Sequence, residues 1–164
     1  MKTLSILLAS VVAACLPPLS ARTAAQLGGG PPHARITLAA PAAAAAGKAF
    51  ELAVTVEVLP GYHIQAHTVK PPGYATKLRV VGGPGLKSGE PRFPKPTRAT
   101  MGGETVEVFA GKVTIEVPVK VAANASGLRK LRATLDCQAC NDTSCFPPEQ
   151  VTKEITVKIR GRAK

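Results

Sequence analysis

Apolar and polar residues alternate with a period of two along most of the chain, and this pattern limits the fold more than any other feature of the sequence. The alternation is strongest in four segments, at residues 50–58, 113–121, 131–135 and 155–159. Successive side chains of a strand point to opposite faces, so each segment predicts a β-strand with one buried face. Weaker strand patterns occupy residues 35–38, 62–68, 76–81 and 105–109. No stretch has the 3.6-residue period of an amphipathic helix.

About eight short strands separated by Gly and Pro turns predict an all-β fold, an immunoglobulin-like antiparallel β-sandwich. Pro118 interrupts one of the strong strand patterns, which predicts an edge strand or a bulge there. The alanines at residues 42–46 are too few to form a helix alone, so we expect a loop or a single turn. Residues 82–103 are rich in Gly and Pro and predict a long irregular loop, of a kind that is often functional.

Residues 1–25 predict an export signal. Lys2 supplies a positive charge at its start, and the following apolar run is too short to span a bilayer, which favours a cleaved signal over a membrane anchor. Two cleavage positions fit. The run Val12-Ala13-Ala14-Cys15 resembles a bacterial lipobox, in which Cys15 would be lipidated and tether the protein to a membrane, whereas small residues before Gln26 suit ordinary signal peptidase. Both predict an exported protein of the bacterial periplasm, where disulfides persist.

The rest of the chain is long enough for one domain with one core. Residues 26–34 predict a flexible Gly/Pro linker, residues 35–160 the folded domain, and residues 161–164 a basic tail. The formal net charge of +11 raises the question of a nucleic-acid partner. The Lys and Arg residues, however, are spread singly with almost no aromatic residues between them, and export argues against nucleic acid. We therefore predict a solvated basic surface and no nucleic-acid partner.

Three cysteines lie within nine residues, at positions 137, 140 and 145. Cys137 continues the inward-facing positions of the preceding strand, which predicts a small buried hydrophobic residue. Cys140 and Cys145 have four residues between them, including the good turn formers Asn141 and Asp142, and this span suits a loop disulfide. Such a short loop gains little stability from a cross-link. The bond is therefore either a modest structural clip or a reversible pair open to another protein's thiolate, and the chemistry alone leaves both readings open.

Metal binding and simple partner binding are the competing functions. His63 and His67 would share one face of a strand at residues 62–68 and join the cysteines around zinc, and Met101 would add a soft ligand for copper. The spacing lacks paired Cys-x-x-Cys knuckles, and an oxidising compartment disfavours three free thiols. We therefore expect no metal and no other cofactor. A non-catalytic immunoglobulin-like binding module, with a purely structural disulfide, is the remaining alternative.

The segment that ends in Cys145-Phe146-Pro147-Pro148 resembles the cysteine motif of the DsbD N-terminal domain family, in which a short turn leads from one cysteine to a Cys-aromatic-Pro-Pro sequence. The upstream sequence Gly61-Tyr62-His63 resembles the family's Gly-aromatic-His strand. The resemblance extends over roughly residues 35 to 160. Its specific part is the cysteine motif.

This resemblance implies an immunoglobulin-like domain that acts as a stand-alone exported component of a protein-disulfide reductase. Electrons would come from a membrane-embedded thiol transporter and pass to exported thioredoxin-like or disulfide isomerase proteins. By position, Cys145 would be the thiol that exchanges with the partner, and Cys140 the resolving thiol that closes the intramolecular disulfide. The residues implied to shape the site are Tyr62, His63, Asp142, Phe146, Pro147 and Pro148.

The sequence departs from the family pattern in two places. Cys137 stands where the family usually has Tyr, which adds a third thiol. Members of the family cover the disulfide with a cap loop that carries an aromatic residue, but the comparable stretch here, residues 95–106, has none. Phe93 and Met101 are the candidates for a cap.

Overall fold

The computed structural model describes residues 32–101 and 103–161. The predicted export signal with Cys15, most of the predicted linker and residues 162–164 of the tail lie outside the described residues. Within the described part, no helix is long and apolar enough to cross a membrane.

Twelve strands form the described part of the chain. In order they are β1 (Ala34–Ala39), β2 (Ala43–Ala45), β3 (Ala49–Val58), β4 (His63–Gln65), β5 (Lys77–Gly82), β6 (Leu86–Ser88), β7 (Thr97–Met101), β8 (Glu104–Ala110), β9 (Lys112–Val121), β10 (Gly127–Cys137), β11 (Ala139–Cys140) and β12 (Glu149–Arg160). All eight segments predicted from the alternation contain a strand. The weak pattern at residues 62–68 yields only the three-residue β4.

The strands pair into three four-stranded sheets with the orders β1-β3-β9-β6, β2-β12-β10-β5 and β11-β4-β8-β7. Every pair is antiparallel except β2 with β12. Alternate side chains of the first two sheets, among them Leu52, Val117 and Leu131, are fully buried in one hydrophobic cluster. Burial of one face from each of two sheets makes a sandwich. The all-β immunoglobulin-like fold predicted from the sequence is confirmed.

Two segments that the sequence predicts as loops contain short strands, so those predictions are wrong in part. Ala43–Ala45 pairs in parallel with the end of β12, and its central Ala44 is buried. Residues 82–103 contain β6, whose Leu86 is buried opposite Val121, and also β7. Strands of three to five residues contain too few alternating positions to be distinguished from loops by periodicity.

Pro118 does not mark an edge strand, because β9 lies between β3 and β6. The neighbouring strand β6 ends at Ser88, opposite Val119, and the N–H of Gly89 donates to the carbonyl of Pro118 at 2.7 Å. In an extended strand the N and the carbonyl of one residue point to the same side. The missing N–H of Pro118 therefore falls beside the end of β6, where the regular pairing stops.

The third sheet positions the cysteine segment. β4 lies between β11 and β8, and its three residues are all buried. β11 pairs with it so that Cys140 lies opposite His63 and Ala139 lies opposite Ile64. The second cysteine of the short turn, Cys145, forms an isolated antiparallel bridge with Cys140.

Candidate active site at the cysteine loop

Cys140 and Cys145 form a disulfide with an S–S distance of 2.02 Å. The two residues differ in exposure, because Cys140 is fully buried in β11 whereas Cys145 is exposed at the surface. A thiolate that approaches from solvent therefore meets Cys145 first. The departing sulfur of such an attack is the buried one.

Asn141 shapes the turn between the two cysteines. Its side-chain Oδ1 accepts hydrogen bonds from the backbone N–H groups of Thr143 at 3.0 Å and Ser144 at 2.7 Å. Its own N–H donates to the carbonyl of Ser144 at 2.9 Å. This local bonding is typical of Asn in tight turns. Asp142, also predicted to shape the site, is exposed in the same turn.

The residues after the turn are held against β11 and β10. The N–H of Phe146 donates to the carbonyl of Ala139 at 2.8 Å, and the side-chain amide of Gln138 donates to the carbonyl of Phe146 at 2.9 Å. Pro147 and Pro148 follow at the surface and lead into β12. Because proline fixes φ and has no N–H, the pair restricts the exit of the loop without needing hydrogen-bond acceptors.

An aromatic cluster surrounds Phe146, the residue that follows Cys145 in the chain. The Phe146 ring lies 4.5 Å from the His33 ring and 5.6 Å from the Tyr62 ring, measured between centroids, and His33 lies 4.6 Å from Tyr62. His33 is itself fixed, because its N–H donates to Glu149 Oε2 at 3.0 Å. The sequence predicts Tyr62 and Phe146 near the site. It misses His33, which lies in the predicted linker and carries no local motif.

The two candidate cap residues lie on the β8 side of the third sheet. Phe93 stacks on His67 at 4.2 Å, and His67 in turn lies parallel to Phe109 of β8 at 5.9 Å. The backbone of Met101 ends β7 opposite Glu104 of β8. β11 with its cysteine lies on the other side of β4. A capping role for these residues stays a prediction.

Cys137 is a free, fully buried cysteine, as its inward-facing position predicts. Its thiol donates to Glu149 Oε1 at 3.8 Å. Burial, reinforced by this neighbouring carboxylate, raises the pKa of the Cys137 thiol well above its usual range. The thiolate is the nucleophile in disulfide exchange, so we expect Cys137 to react far more slowly than an ordinary exposed cysteine in the folded protein.

A buried amide that the sequence reading misses lies beside Cys140. Gln65 is 7% exposed, and its Nε2 lies 3.9 Å from Cys140 Sγ and 3.4 Å from Gln138 Oε1. Its Oε1 accepts the backbone N–H of Tyr74 at 2.6 Å. In the sequence Gln65 is only a polar residue between Ile64 and an alanine, and no motif marks it.

His63 is buried in β4 opposite Cys140, and its site-shaping role stays a prediction. The pairing of His63 with His67 on one strand face is wrong, because β4 ends at Gln65 and His67 instead stacks on Phe93. Within residues 32–101 and 103–161, no group of three or more His, Cys, Asp or Glu side chains is arranged to hold a metal ion.

A sequence model of one protein family matches the domain. Its description is thiol:disulfide interchange protein DsbD, N-terminal, and the match extends over residues 35–157. Comparison with curated protein sequences found no significant match.

Solved structures share the sandwich at low sequence identity. The N-terminal periplasmic domain of ScsB from Proteus mirabilis is 13% identical with a TM-score of 0.52, over 77% of this chain and 46% of that one, so the chain spans about half of it. A cohesin module from a Clostridium perfringens family 33 glycoside hydrolase is also 13% identical with a TM-score of 0.52, over 79% and 98% of the two chains. The reduced DsbD n-terminal domain of Neisseria meningitidis is 20% identical with a TM-score of 0.48, over 77% and 86%. The first two likenesses show a shared fold alone, because one sandwich hosts many functions.

Proposed function

The chain belongs to the DsbD N-terminal domain family of thiol:disulfide interchange proteins, and from that premise we propose that it relays reducing equivalents outside the cytoplasm through a reversible Cys140–Cys145 disulfide. The observation that carries the proposal is the asymmetry of this bond, with Cys145 exposed and Cys140 fully buried. A structural clip has no need of an exposed sulfur. An exchange site requires one, because the attacking thiolate must reach it.

The exchange proceeds by two attacks. A thiolate of a reduced partner attacks Cys145 Sγ, an S–S bond forms between the partner and Cys145, and the Cys140–Cys145 bond breaks with its electron pair passing to Cys140 Sγ. The partner's second thiolate then attacks the partner's own sulfur in the mixed disulfide and releases Cys145. Both released thiolates take protons from water. The protein ends as a dithiol and the partner as a disulfide, and the reverse sequence reduces an acceptor.

We assign the donor and the acceptors by analogy with the family to which the chain belongs. The donor is a membrane-embedded thiol transporter that presents a dithiol at the membrane surface. The acceptors are exported thioredoxin-like or disulfide isomerase proteins, which makes this chain a component of a protein-disulfide reductase. A signal within residues 1–25 exports the protein, and if it is cleaved before Cys15, a lipid on Cys15 would hold the protein near the transporter.

The test uses the purified oxidised protein and a reduced thioredoxin-type dithiol protein. The fraction of protein that keeps its disulfide is measured by alkylating the free thiols and determining the mass of the intact protein by mass spectrometry. We expect the wild type to be reduced and Cys145→Ser to accept no electrons while keeping its fold. Cys137→Ser is the matched control, because it removes a thiol from the same segment and leaves the disulfide intact.

The alternative, a binding module with a structural bond, predicts a different reduction potential. Structural disulfides lie below about −300 mV, whereas exchange catalysts lie higher. A wild-type bond that stays oxidised in the presence of the reduced partner contradicts the exchange function and favours the binding module.

A further inference from the structure

We propose that Gln65 stabilises the thiolate that forms at Cys140 when a partner attacks Cys145. The inference rests on the exchange function proposed above, and it names the group that contacts the leaving sulfur of that reaction. No motif of the sequence points to this residue. It follows from the contacts of one buried amide.

Departure of Cys140 as a thiolate creates a charge inside the protein. Cys140 is fully buried, and burial disfavours a charged group relative to its neutral form. In thiol–disulfide exchange the reaction is faster when the leaving thiol has a lower pKa. A buried leaving sulfur therefore needs a hydrogen-bond donor that faces it.

Gln65 supplies such a donor. Its Nε2 lies 3.9 Å from Cys140 Sγ, a contact of hydrogen-bond length for the large sulfur atom. A disulfide sulfur accepts hydrogen bonds weakly, whereas a thiolate carries a full negative charge and accepts them strongly. The contact therefore becomes stronger as the S–S bond breaks. An interaction that strengthens toward the transition state accelerates the reaction instead of only binding the reactant.

The orientation of the amide is fixed by the loop that follows β4. The backbone N–H of Tyr74 donates to Gln65 Oε1 at 2.6 Å, so the oxygen faces Tyr74 and the Nε2 group faces Cys140. The second Nε2 contact, with Gln138 Oε1 at 3.4 Å, is consistent with the same orientation. An amide turned the other way would place two oxygens together at Gln138 and two N–H donors together at Tyr74.

Gly73 allows this loop to approach the amide. A Cβ atom at this position would lie 2.9 Å from Gln65 Oε1 and closer still to Val69 Cγ1, and both separations are shorter than real Cβ contacts. The turn is closed by a hydrogen bond from the Gly73 N–H to the carbonyl of Lys70 at 3.0 Å. A side chain here would displace either the turn or the amide.

Two substitutions separate thiolate stabilisation from a purely structural role. Gln65→Met keeps a long side chain but can neither donate to Cys140 nor accept from Tyr74. Gln65→Glu keeps an oxygen for the Tyr74 N–H but, once ionised, repels a thiolate at Cys140. A structural role carried by the Tyr74 hydrogen bond predicts that Gln65→Glu, which keeps this bond, is less impaired than Gln65→Met, which loses it. Our proposal predicts the reverse order, with Gln65→Glu the more impaired of the two.

The first measurement is the rate of reduction of each oxidised protein by the reduced thioredoxin-type dithiol protein. We expect Gln65→Met to be about 10- to 100-fold slower than the wild type, the range expected for losing a hydrogen bond to a charged group, and Gln65→Glu slower still. The second is the pKa of the Cys140 thiol, read from thiolate absorbance in a Cys145→Ser background. Both variants should raise it by about one unit or more. His63, the titratable residue opposite Cys140, is unchanged in the wild type and in both variants, so a difference in the Cys140 pKa between these proteins reports the substitution at Gln65.

The outcomes distinguish this inference from the function on which it rests. If the wild type is not reduced by the dithiol protein, the exchange function itself fails. If the wild type exchanges and both variants match its rate and its Cys140 pKa, only the role of Gln65 fails. Should the variants not fold, the pKa of Cys140 in the reduced wild-type protein decides, because burial without a hydrogen-bond donor would raise it above the ordinary value of a cysteine thiol. A Cys140 pKa well above that ordinary value would overturn the proposal, whereas a value at or below it would support a donor at the sulfur.

Discussion

Cys137 and Cys140 are separated by two residues and are both fully buried, yet their sulfurs face opposite kinds of group. The Cys137 thiol donates to the Glu149 carboxylate at 3.8 Å, whereas Cys140 Sγ faces the Gln65 amide Nε2 at 3.9 Å. Burial disfavours the thiolate at both positions. A carboxylate disfavours it further, and an N–H donor favours it. Because both sulfurs are fully buried, the comparison teaches that a difference in reactivity between Cys137 and the proposed exchange residue Cys140 must come from the neighbouring group.

The two cysteines differ because the chain changes sheet between them. Cys137 is the last residue of β10 and lies opposite Glu149 of β12 in the β2-β12-β10-β5 sheet. Cys140 belongs to β11 and lies opposite His63 in the β11-β4-β8-β7 sheet. The spacing Cys-x-x-Cys is therefore a coincidence of sequence, and the disulfide joins Cys140 to Cys145 instead.

The largest expected difference between substitutions of the two buried cysteines is in the turnover of thiol–disulfide exchange. Cys140→Ser should abolish it, because Cys145 alone can attack an acceptor's disulfide but cannot resolve the mixed disulfide that forms. Cys137→Ser should turn over at close to the wild-type rate. The trapped complex is measured by non-reducing electrophoresis and mass spectrometry after mixing each reduced variant with an oxidised thioredoxin-type protein. An equal yield of trapped complex from both variants would contradict the division of roles.

A second expected difference is in alkylation of the reduced protein. At about pH 8, iodoacetamide should label the exposed Cys145 first, Cys140 more slowly and Cys137 last. The thiolate fraction below the pKa falls about tenfold for each unit by which the pKa is raised, and the pKa of Cys137 is raised well above its usual range. Peptide mass spectrometry over a time course gives the three rates. Labelling of Cys137 at the rate of Cys140 would show that the carboxylate does not suppress its thiolate.

A third prediction concerns stability at alkaline pH. The folded-state pKa of Cys137 is raised above its ordinary value of 9.0, so its contribution to stability is fully present below about pH 9 and is lost as the pH rises further. The free energy of unfolding of the wild type should fall with a slope that exceeds that of Cys137→Ala by up to about 1.4 kcal/mol per pH unit. Chemical denaturation of the oxidised proteins between about pH 8 and 10.5 measures both slopes. Parallel slopes would mean that Cys137 ionises without hindrance in the folded state.

The sequence predicts those parts of the molecule that depend on local patterns. The alternation at residues 50–58 predicts β3 because every second side chain of a strand points to the same face. A strand with one buried face therefore has an apolar residue at every second position. The inward direction of Cys137 follows from the same rule. Glu149 and Gln65 could not be predicted as partners of the two cysteines, because those contacts depend on the register of β12 on β10 and of β11 on β4. His33 escaped prediction for the same reason, since it reaches Phe146 from the far end of the domain sequence.

The smallest expected effect concerns the aromatic cluster around Phe146, the residue after Cys145. His33→Ala removes one ring from beside Phe146, and such ring pairs contribute about 0.5–1.5 kcal/mol. We expect reduction of the disulfide to change severalfold, because Phe146 directly follows Cys145 and its ring loses one of its two aromatic neighbours. The matched control is His67→Ala, which removes a histidine stacked on Phe93 at 4.2 Å on the β8 side of the sheet. Unchanged reduction rates in His33→Ala would show that backbone hydrogen bonds alone position the loop, whereas equal changes in both variants would contradict a specific role of the His33 ring.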